Sequence, residues 1–357
     1  GFPILQPQID IHTVSAGGGS IAQAIPGGGL QVGPESAGSQ PGPAGYGQGG
    51  TVPTVTDANL WLGYLPDGAM LGESVRLNRQ LAEQALQALG DALGLDVAAT
   101  ALGIRTLANG QMARALRVVS IERGQDPAEL ALMAYGGAGP MHACGLAMEL
   151  GIQTILIPAA CGVLSALGMA VAPVRRDYRR AMPSHGIPVD WGQGIEGLRQ
   201  QAQQDGADSD QLSLSFSLDL RYRGQSFELG IPVQLDEDPA VIADRFHQAH
   251  QQQYGWQDPA QTVDLVTARL QATLPAPAVK TLDIPPESGD PWLGSRSVWE
   301  EGNGYQEWPV YSRPRLRPDV ELIGPALVSF KESTVVIEAG WQARLDGQGM
   351  LVLTRLA

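Results

Sequence analysis

Residues 130–158 read LALMAYGGAGPMHACGLAMELGIQTILIP, and their order decides the fold. A short apolar run meets the turn Gly136-Gly137-Ala138-Gly139-Pro140, an apolar helical stretch follows from Met141, and TILIP closes as a second strand. Strand, glycine turn, helix and strand in succession form the unit of an α/β fold. Glycines at a strand-to-helix junction also let a planar ligand or a phosphate approach the backbone at a helix N-terminus. The same residues could equally be a tight turn and nothing more. They are not a dinucleotide fingerprint: starting from Gly137, G-x-G-x-x-G would need glycine at His142, and no acidic residue follows about twenty positions on.

Working outward, Leu81, Ala82, Ala85, Leu86, Leu89 and Leu93 recur at helical spacing up to Gly94, and Asp96 is placed to cap a longer helix reaching Gly124. Residues 1–60 hold only three charged side chains, Asp10, Glu35 and Asp57, with no Lys or Arg. There IDIHTV (9–14) and LQVG (30–33) flank a glycine-rich connection, which predicts a hairpin or two adjacent strands. The uncharged run Gly151–Val174 is long enough to span a bilayer, but Gln153, Thr154, Pro158 and Gly162 interrupt it, so it predicts a buried strand and then a buried helix from about Val163 to Val171. A composition shift follows Arg180. Residues 191–210 predict one exposed Gln-rich helix. The stretches 212–224, 225–235 and 263–274 alternate as strands, and 239–256 forms an amphipathic helix with His247 and His250 on a solvated face. This half is α+β and antiparallel, with a linker near 275–292 and short strands from Pro309 onward. The predicted domains are 1–180 and 181–357.

Charge excludes several functions. With 37 acidic against 23 basic residues the net charge is −14, which argues against nucleic-acid binding. The two lysines, Lys280 and Lys331, follow no glycine-rich loop, so a P-loop is absent. No G-x-S-x-G elbow occurs, and Cys144 and Cys161 lack electropositive neighbours, which argues against serine and cysteine triads. Two cysteines without a C-x-x-C motif fit a reducing compartment, the cytoplasm. The start GFPILQPQIDIH has no initiator Met and no signal-peptide pattern, and reads as the C-terminal part of something longer.

The candidate chemistry begins at Asp10 and His12. Two apart in a strand, they would project to one side, beside the turn Gly17-Gly18-Gly19-Ser20. Backbone donors in such a turn bind phosphate without a cation, and a carboxylate with an imidazole can hold a divalent metal that offsets its charge. A structural hairpin with solvated side chains stays open as the other reading. Asp57 and His142 are the residues that would complete a metal set, although a lone helical histidine is more often packed or capping.

Read together, DIHTVSAGGGSIA (10–22), VGPESAG (32–38), PGPAGYG (41–47), PTVTDANLWLG (53–63), Asn109 with Met112, RGQDP (123–127), AYGGAGPMHA (134–143) and GVLSALGMA (162–170) resemble the hydantoinase A / 5-oxoprolinase family. DLRYRGQSFEL (219–229), FHQAHQQQYGW (246–256) and GPALVSFKESTVVIEAGW (324–341) extend the resemblance over nearly the whole chain. The family is similar to the actin-like (ribonuclease H-like) ATPases. That implies one actin-like lobe followed by an α+β, β-rich C-terminal domain, with Gly17–Ser20 as the second phosphate turn and Gly136–Pro140 as the adenosine motif. It further implies ATP and Mg²⁺, a B-type partner subunit, and ATP-dependent opening of a hydantoin or other cyclic amide by phosphorylation of its oxygen. The family's first phosphate turn, D-x-G-G-T, occurs nowhere here. The resemblance therefore implies an absent N-terminal lobe and a chain inactive alone. An acetone-type ketone carboxylase subunit, or a non-catalytic docking module, are the alternatives. Ser15, Gly45, Asn78 and Pro173 stand where the family commonly has Gly, Cys, Asp and Asp.

Overall fold

The computed structural model describes residues 11–72, 74–205, 212–274, 276 and 287–356. Seven helices of the α type lie among them: α1 (Val55–Trp61), α2 (Arg79–Leu93), α3 (Val97–Val119), α4 (Gly139–Leu150), α5 (Leu164–Val171), α6 (Gly192–Gln204) and α7 (Pro239–Tyr254). Their ends follow from short polar side chains and glycine. Asn78 Oδ1 accepts from the Leu81 N–H (3.1 Å) and Asp96 Oδ1 from the Ala99 N–H (2.7 Å), while Gly94 closes α2 at φ +70°. The apolar stripe of α2 is buried at Ala82, Ala85, Leu86 and Leu89, as its spacing predicts.

The strand Ala131–Met133 runs parallel to Thr154–Ile157, with α4 as the crossover between them. On its other edge Thr154–Ile157 pairs antiparallel with Leu351–Arg355, with Leu353 opposite Ile155. The sheet continues through Trp341–Leu345 to Glu321–Ile323, five strands in all. Ile155, Ile157, Leu351, Leu353, Val335 and Ile337, all fully buried, form its core together with Ala143 and Ala147 of α4. A four-stranded sheet of Trp292–Glu300, Gly304–Ser312, Ala326–Ser329 and Thr334–Ile337 belongs to the same unit.

Packing divides the chain differently from composition. One compact unit comprises Asp10–Leu167 with Thr281–Ala357, and the other is built on Gly168–Lys280. The boundary expected at 180/181 falls inside the strand Arg175–Ser184, an edge of the second unit's sheet. Composition registers the polar shift after Arg180, but strand pairing across about two hundred residues returns the tail to the first unit. In the second unit Arg175–Ser184, Val263–Thr273, Ser213–Tyr222 and Leu229–Val233 form one antiparallel sheet in that order, with Trp191, Ile195, Tyr222 and Phe246 in its core.

Four local expectations change. The first described strand is Ser20–Ile25, paired with Gly29–Ser36, whereas residues 11–14 of IDIHTV are not strand and Ile9 and Asp10 lie outside the described residues. Helix α5 has no buried residue, and Met169 is 83% exposed: a mostly apolar stretch without charged residues gives little periodicity from which burial can be read. His247 and His250 are buried, not solvated, and pack with Tyr222 and Phe246. The Gln-rich helix has a buried face, Ile195, Leu198 and Ala202, and ends at Gln204. Residues 206–211, and 275 and 277–286 of the expected linker, lie outside the described residues. Among the described residues no single helix is long and apolar enough to cross a membrane. The pair α2–α3, which passes that test jointly, is bent by 91°.

A chain ended at residue 180 lacks the strand that covers the Thr154–Ile157 edge. We expect it to show no cooperative thermal transition by circular dichroism, and supplying residues 287–357 alongside to restore one. Cooperative melting of 1–180 alone would contradict this division of the chain.

Candidate functional site

The turn ahead of Ser20–Ile25 is closed by two short bonds: the Ser20 N–H donates to Gly17 O (3.0 Å) and the Gly17 N–H to Ser20 Oγ (3.0 Å). The next carbonyls are taken by distant amides, Gly18 O by the Thr56 N–H (2.8 Å) and Gly19 O by the Ala37 N–H (2.9 Å). This crowding explains two of the glycines. A Cβ on Gly18 would lie 2.7 Å from Thr56 Oγ1, and one on Gly19 would lie 2.9 Å from Ser36 Oγ, whereas Gly17 has open space.

At the second turn Gly136 adopts φ +82°, a region that favours glycine, and its N–H donates to Cys161 O (2.8 Å). Ser333 Oγ, from the loop between Ala326–Ser329 and Thr334–Ile337, bonds Gly136 O (3.1 Å) and Gly137 O (3.2 Å). Helix α4 starts at Gly139, with Pro140 in the first turn where a missing N–H costs nothing, and no side chain caps it.

The two turns meet. A Cβ on Gly18 would lie 3.9 Å from Ala138 Cβ, and Gly18, Gly19, Gly137 and Ala138 line one cavity of about 400 Å³. Leu65, Met70, Leu71 and Leu77 supply an apolar wall; Lys331, Glu332 and Ser333 supply a polar one. A larger cavity of about 660 Å³ in the second unit contains none of the residues singled out above as nucleotide or metal candidates. Two of its arginines are already paired, Arg175 with Asp177 and Arg269 with Asp219, so the smaller cavity is the better candidate.

Asp57 and His142 lie behind these turns, each fixed by protein partners. Asp57 is fully buried. Its Oδ2 accepts from the Thr54 N–H (2.8 Å), the Thr54 hydroxyl (2.8 Å) and the Ala44 N–H (3.2 Å), and its Oδ1 from the Gly45 N–H (2.6 Å). Together with Thr54 it makes a capping box at the start of α1. Burial pushes its carboxyl above the usual range despite these donors. Gly45 is accounted for here, because a Cβ would lie 2.8 Å from Leu60 Cδ2 and 3.1 Å from Asp57 Oδ1.

His142 Nδ1 is 2.7 Å from Asn109 Oδ1 and its Nε2 is 3.3 Å from Asn59 Nδ2. With the amides so oriented, Nδ1–H donates and Nε2 accepts, which satisfies a neutral ring. Burial, and then the nearby Arg105 charge, push its pKa down to about 3. Arg105 is held by Met141 O (2.8 Å), by Glu338 Oε1 (3.0 Å) and over the Tyr64 ring (4.5 Å). Burial also pushes the Cys144 thiol up to about 12, and its Sγ donates to Val336 O, so it is no nucleophile.

Among the described residues the expected metal set is not brought together. Asp10 lies outside the described residues, His12 is exposed and off any strand, and the polar atoms of Asp57 and His142 are engaged. Among the described residues no group of three or more His, Cys, Asp or Glu converges to hold a metal ion. Sequence reasoning missed the loop 330–333. Only strand pairing brings it beside Gly137, and no local pattern in FKES announces a ligand wall.

Comparison with known proteins follows this geometry. Residues 1–178 match the Hydantoinase/oxoprolinase family model, and 179–356 match the Hydantoinase/oxoprolinase C-terminal domain. An uncharacterised protein of Methanocaldococcus jannaschii is 38% identical over 361 residues, which is 99% of this chain and 52% of that protein. The caprolactamase subunit alpha of Pseudomonas jessenii is 36% identical over 373 residues, 98% of this chain and 53% of the subunit. The crystal structure of the ATP-dependent caprolactamase from that organism superposes with a TM-score of 0.81 at 35% identity, over 98% of this chain and 53% of that one. A nucleotide-free acetone carboxylase structure gives 0.78 at 26% identity, over 96% and 52%. The chain thus spans about half the length of these relatives, and its mixed α/β architecture agrees with an actin-like lobe.

His142 yields a pH prediction. Between pH 6.5 and about 3 the unfolded chain binds a proton on this residue that the folded chain does not, so stability rises with pH across that window. His142→Asn will be less stable at pH 7, and its deficit will shrink by about 1.4 kcal/mol per pH unit as the solution is acidified below 6.5. Urea midpoints of both proteins from pH 7.5 to 4 test this; a constant deficit would contradict it.

Proposed function

The chain belongs to the hydantoinase/oxoprolinase family, and from that premise we propose that its 400 Å³ cavity is part of an ATP site serving the activation of a cyclic amide. The observation carrying this reading is that two glycine turns, about 120 residues apart in sequence, line the same cavity. Gly17–Ser20 take the phosphates, where Gly18 and Gly19 have their carbonyls bonded internally and so present less opposing charge to an anion. Gly136–Pro140 take the adenosine, with the apolar wall of Leu65, Met70 and Leu77 suited to a base. Transfer of the γ-phosphoryl group from ATP to the amide oxygen, with ADP leaving, makes the ring carbon electrophilic; water adds there, the ring C–N bond breaks as the nitrogen takes a proton, and inorganic phosphate departs to leave a carboxylate. The 36% identity with the caprolactamase subunit supports the amide reading.

In this reading the first phosphate turn comes from an N-terminal lobe, the reaction is completed with a B-type subunit, and the chain is inactive alone. A divalent cation finds no ligand set among the described residues, and no step is assigned to it. The buried free thiols Cys144 and Cys161 accord with action in the cytoplasm.

Calorimetric titration of ATP and lactam-stimulated ATP hydrolysis, both in the full-length protein with its partner subunit, provide the test. Gly18→Val, which drives a Cβ to 2.7 Å from Thr56 Oγ1, should abolish ATP binding, whereas Gly137→Ala, whose Cβ meets nothing closer than Glu332 O at 3.7 Å, should bind within a few-fold of the unsubstituted protein. Unchanged affinity in Gly18→Val would refute the phosphate-turn assignment. Stimulation by a ketone and bicarbonate, but not by caprolactam, 5-oxoproline or hydantoin, would refute the amide.

A further inference from the structure

We propose that Lys331 supplies the positive charge opposite the anionic part of the ligand held in this cavity. The inference rests on the nucleotide reading above and adds to it a residue that no glycine motif contains. A phosphate chain at a turn needs compensating charge, yet residues 1–60 contain no Lys or Arg. Lys331 is the one cationic side chain among the described residues lining the cavity, and one of only two lysines in the chain.

Its surroundings leave the ammonium available. Lys331 is exposed and makes no ion pair with any described residue. Glu332, the neighbouring acid, packs against Gly162: a Cβ there would meet Glu332 Cβ at 2.6 Å and Oε2 at 3.2 Å. Arg313, whose guanidinium lies 5.8 Å from the Phe330 ring centroid, bonds Gly349 O instead. The backbone beneath Lys331 is held from both sides. The Phe330 N–H donates to Ser333 O (2.9 Å), and Ser333 Oγ is tied to the carbonyls of Gly136 and Gly137. The lysine is therefore mounted on the same glycine turn that borders the cavity. A lysine, unlike an arginine, offers a compact charge on a flexible stem that can reach a phosphate from an open rim.

The experiment is calorimetric titration of the full-length protein and of Lys331→Gln, Lys331→Arg and Lys331→Glu with ATP, ADP, adenosine and inorganic tripolyphosphate. Lys331→Gln should weaken ATP and tripolyphosphate by about tenfold and leave adenosine within about twofold, Lys331→Arg should restore most of the loss, and Lys331→Glu should exceed it. The unsubstituted protein's ATP affinity should also fall more steeply with salt than that of Lys331→Gln. ATP binding by Lys331→Gln equal to the unsubstituted protein, or an equal loss of ATP and adenosine, would overturn the role of Lys331 and leave the nucleotide site standing. No binding of ATP or adenosine by the unsubstituted protein would overturn both.

Discussion

The candidate site depends on one pairing, the antiparallel ladder between Thr154–Ile157 and Leu351–Arg355. Without it the strand–turn–helix–strand unit would be a two-stranded parallel sheet with an open edge, a form that seldom stands alone. With it, Ile155 and Ile157 are fully buried against Leu351 and Leu353, and α4 gains a floor. The same C-terminal segment carries the loop that delivers Ser333 to the Gly136 and Gly137 carbonyls. Two glycine turns and a polar loop, from three distant parts of the sequence, thus become walls of one cavity.

Behind the cavity lies a buried polar layer whose role is positional. Asp57 ties the loop at Ala44 and Gly45 to the start of α1, whose Thr56 N–H in turn holds Gly18 O. His142 ties α4 to Asn109 of α3 and to Asn59 of α1. Asn59 Oδ1 is left buried without a partner, and Asn59 is wholly inaccessible. Such groups are costly unless bonded, so the layer fixes the relative placement of α1, α3 and α4 more narrowly than apolar packing alone would. The proposed ligand would then meet turns already in place, which lowers the ordering cost of binding.

Much of this was legible in the sequence. The spacing of Leu81 to Leu93, the cap at Asp96, and the succession around Gly136 correspond to the observed α2, α3 and α4, because each is a local pattern with a local cause. The motifs that carry the family resemblance sit where the family models match. What escaped was non-local or one-sided. Asp57 reads as a free carboxylate, and only the fold brings the Ala44 and Gly45 amides to it. His247 and His250 sit among glutamines that suggest solvent, yet they turn toward Tyr222. Lys331 lies in the family-resembling segment 324–341, but its role becomes readable only from the cavity it borders.

The unit of residues 168–280 interrupts, in sequence, the unit that encloses it. During synthesis this sets an order. Between Ile157 and Leu351 the ribosome must add almost two hundred residues, roughly 10 to 40 s at about 5–20 residues per second. Over that interval the Thr154–Ile157 edge waits without its partner, while the inserted unit, whose four sheet strands all lie between Arg175 and Thr273, can finish folding. The nascent enclosing unit is then an unclosed sheet with an apolar edge, the kind of surface on which chaperones act and where misassembly between neighbouring chains begins. Yield of the native protein should therefore be governed by how that interval is protected as much as by the stability of the finished fold.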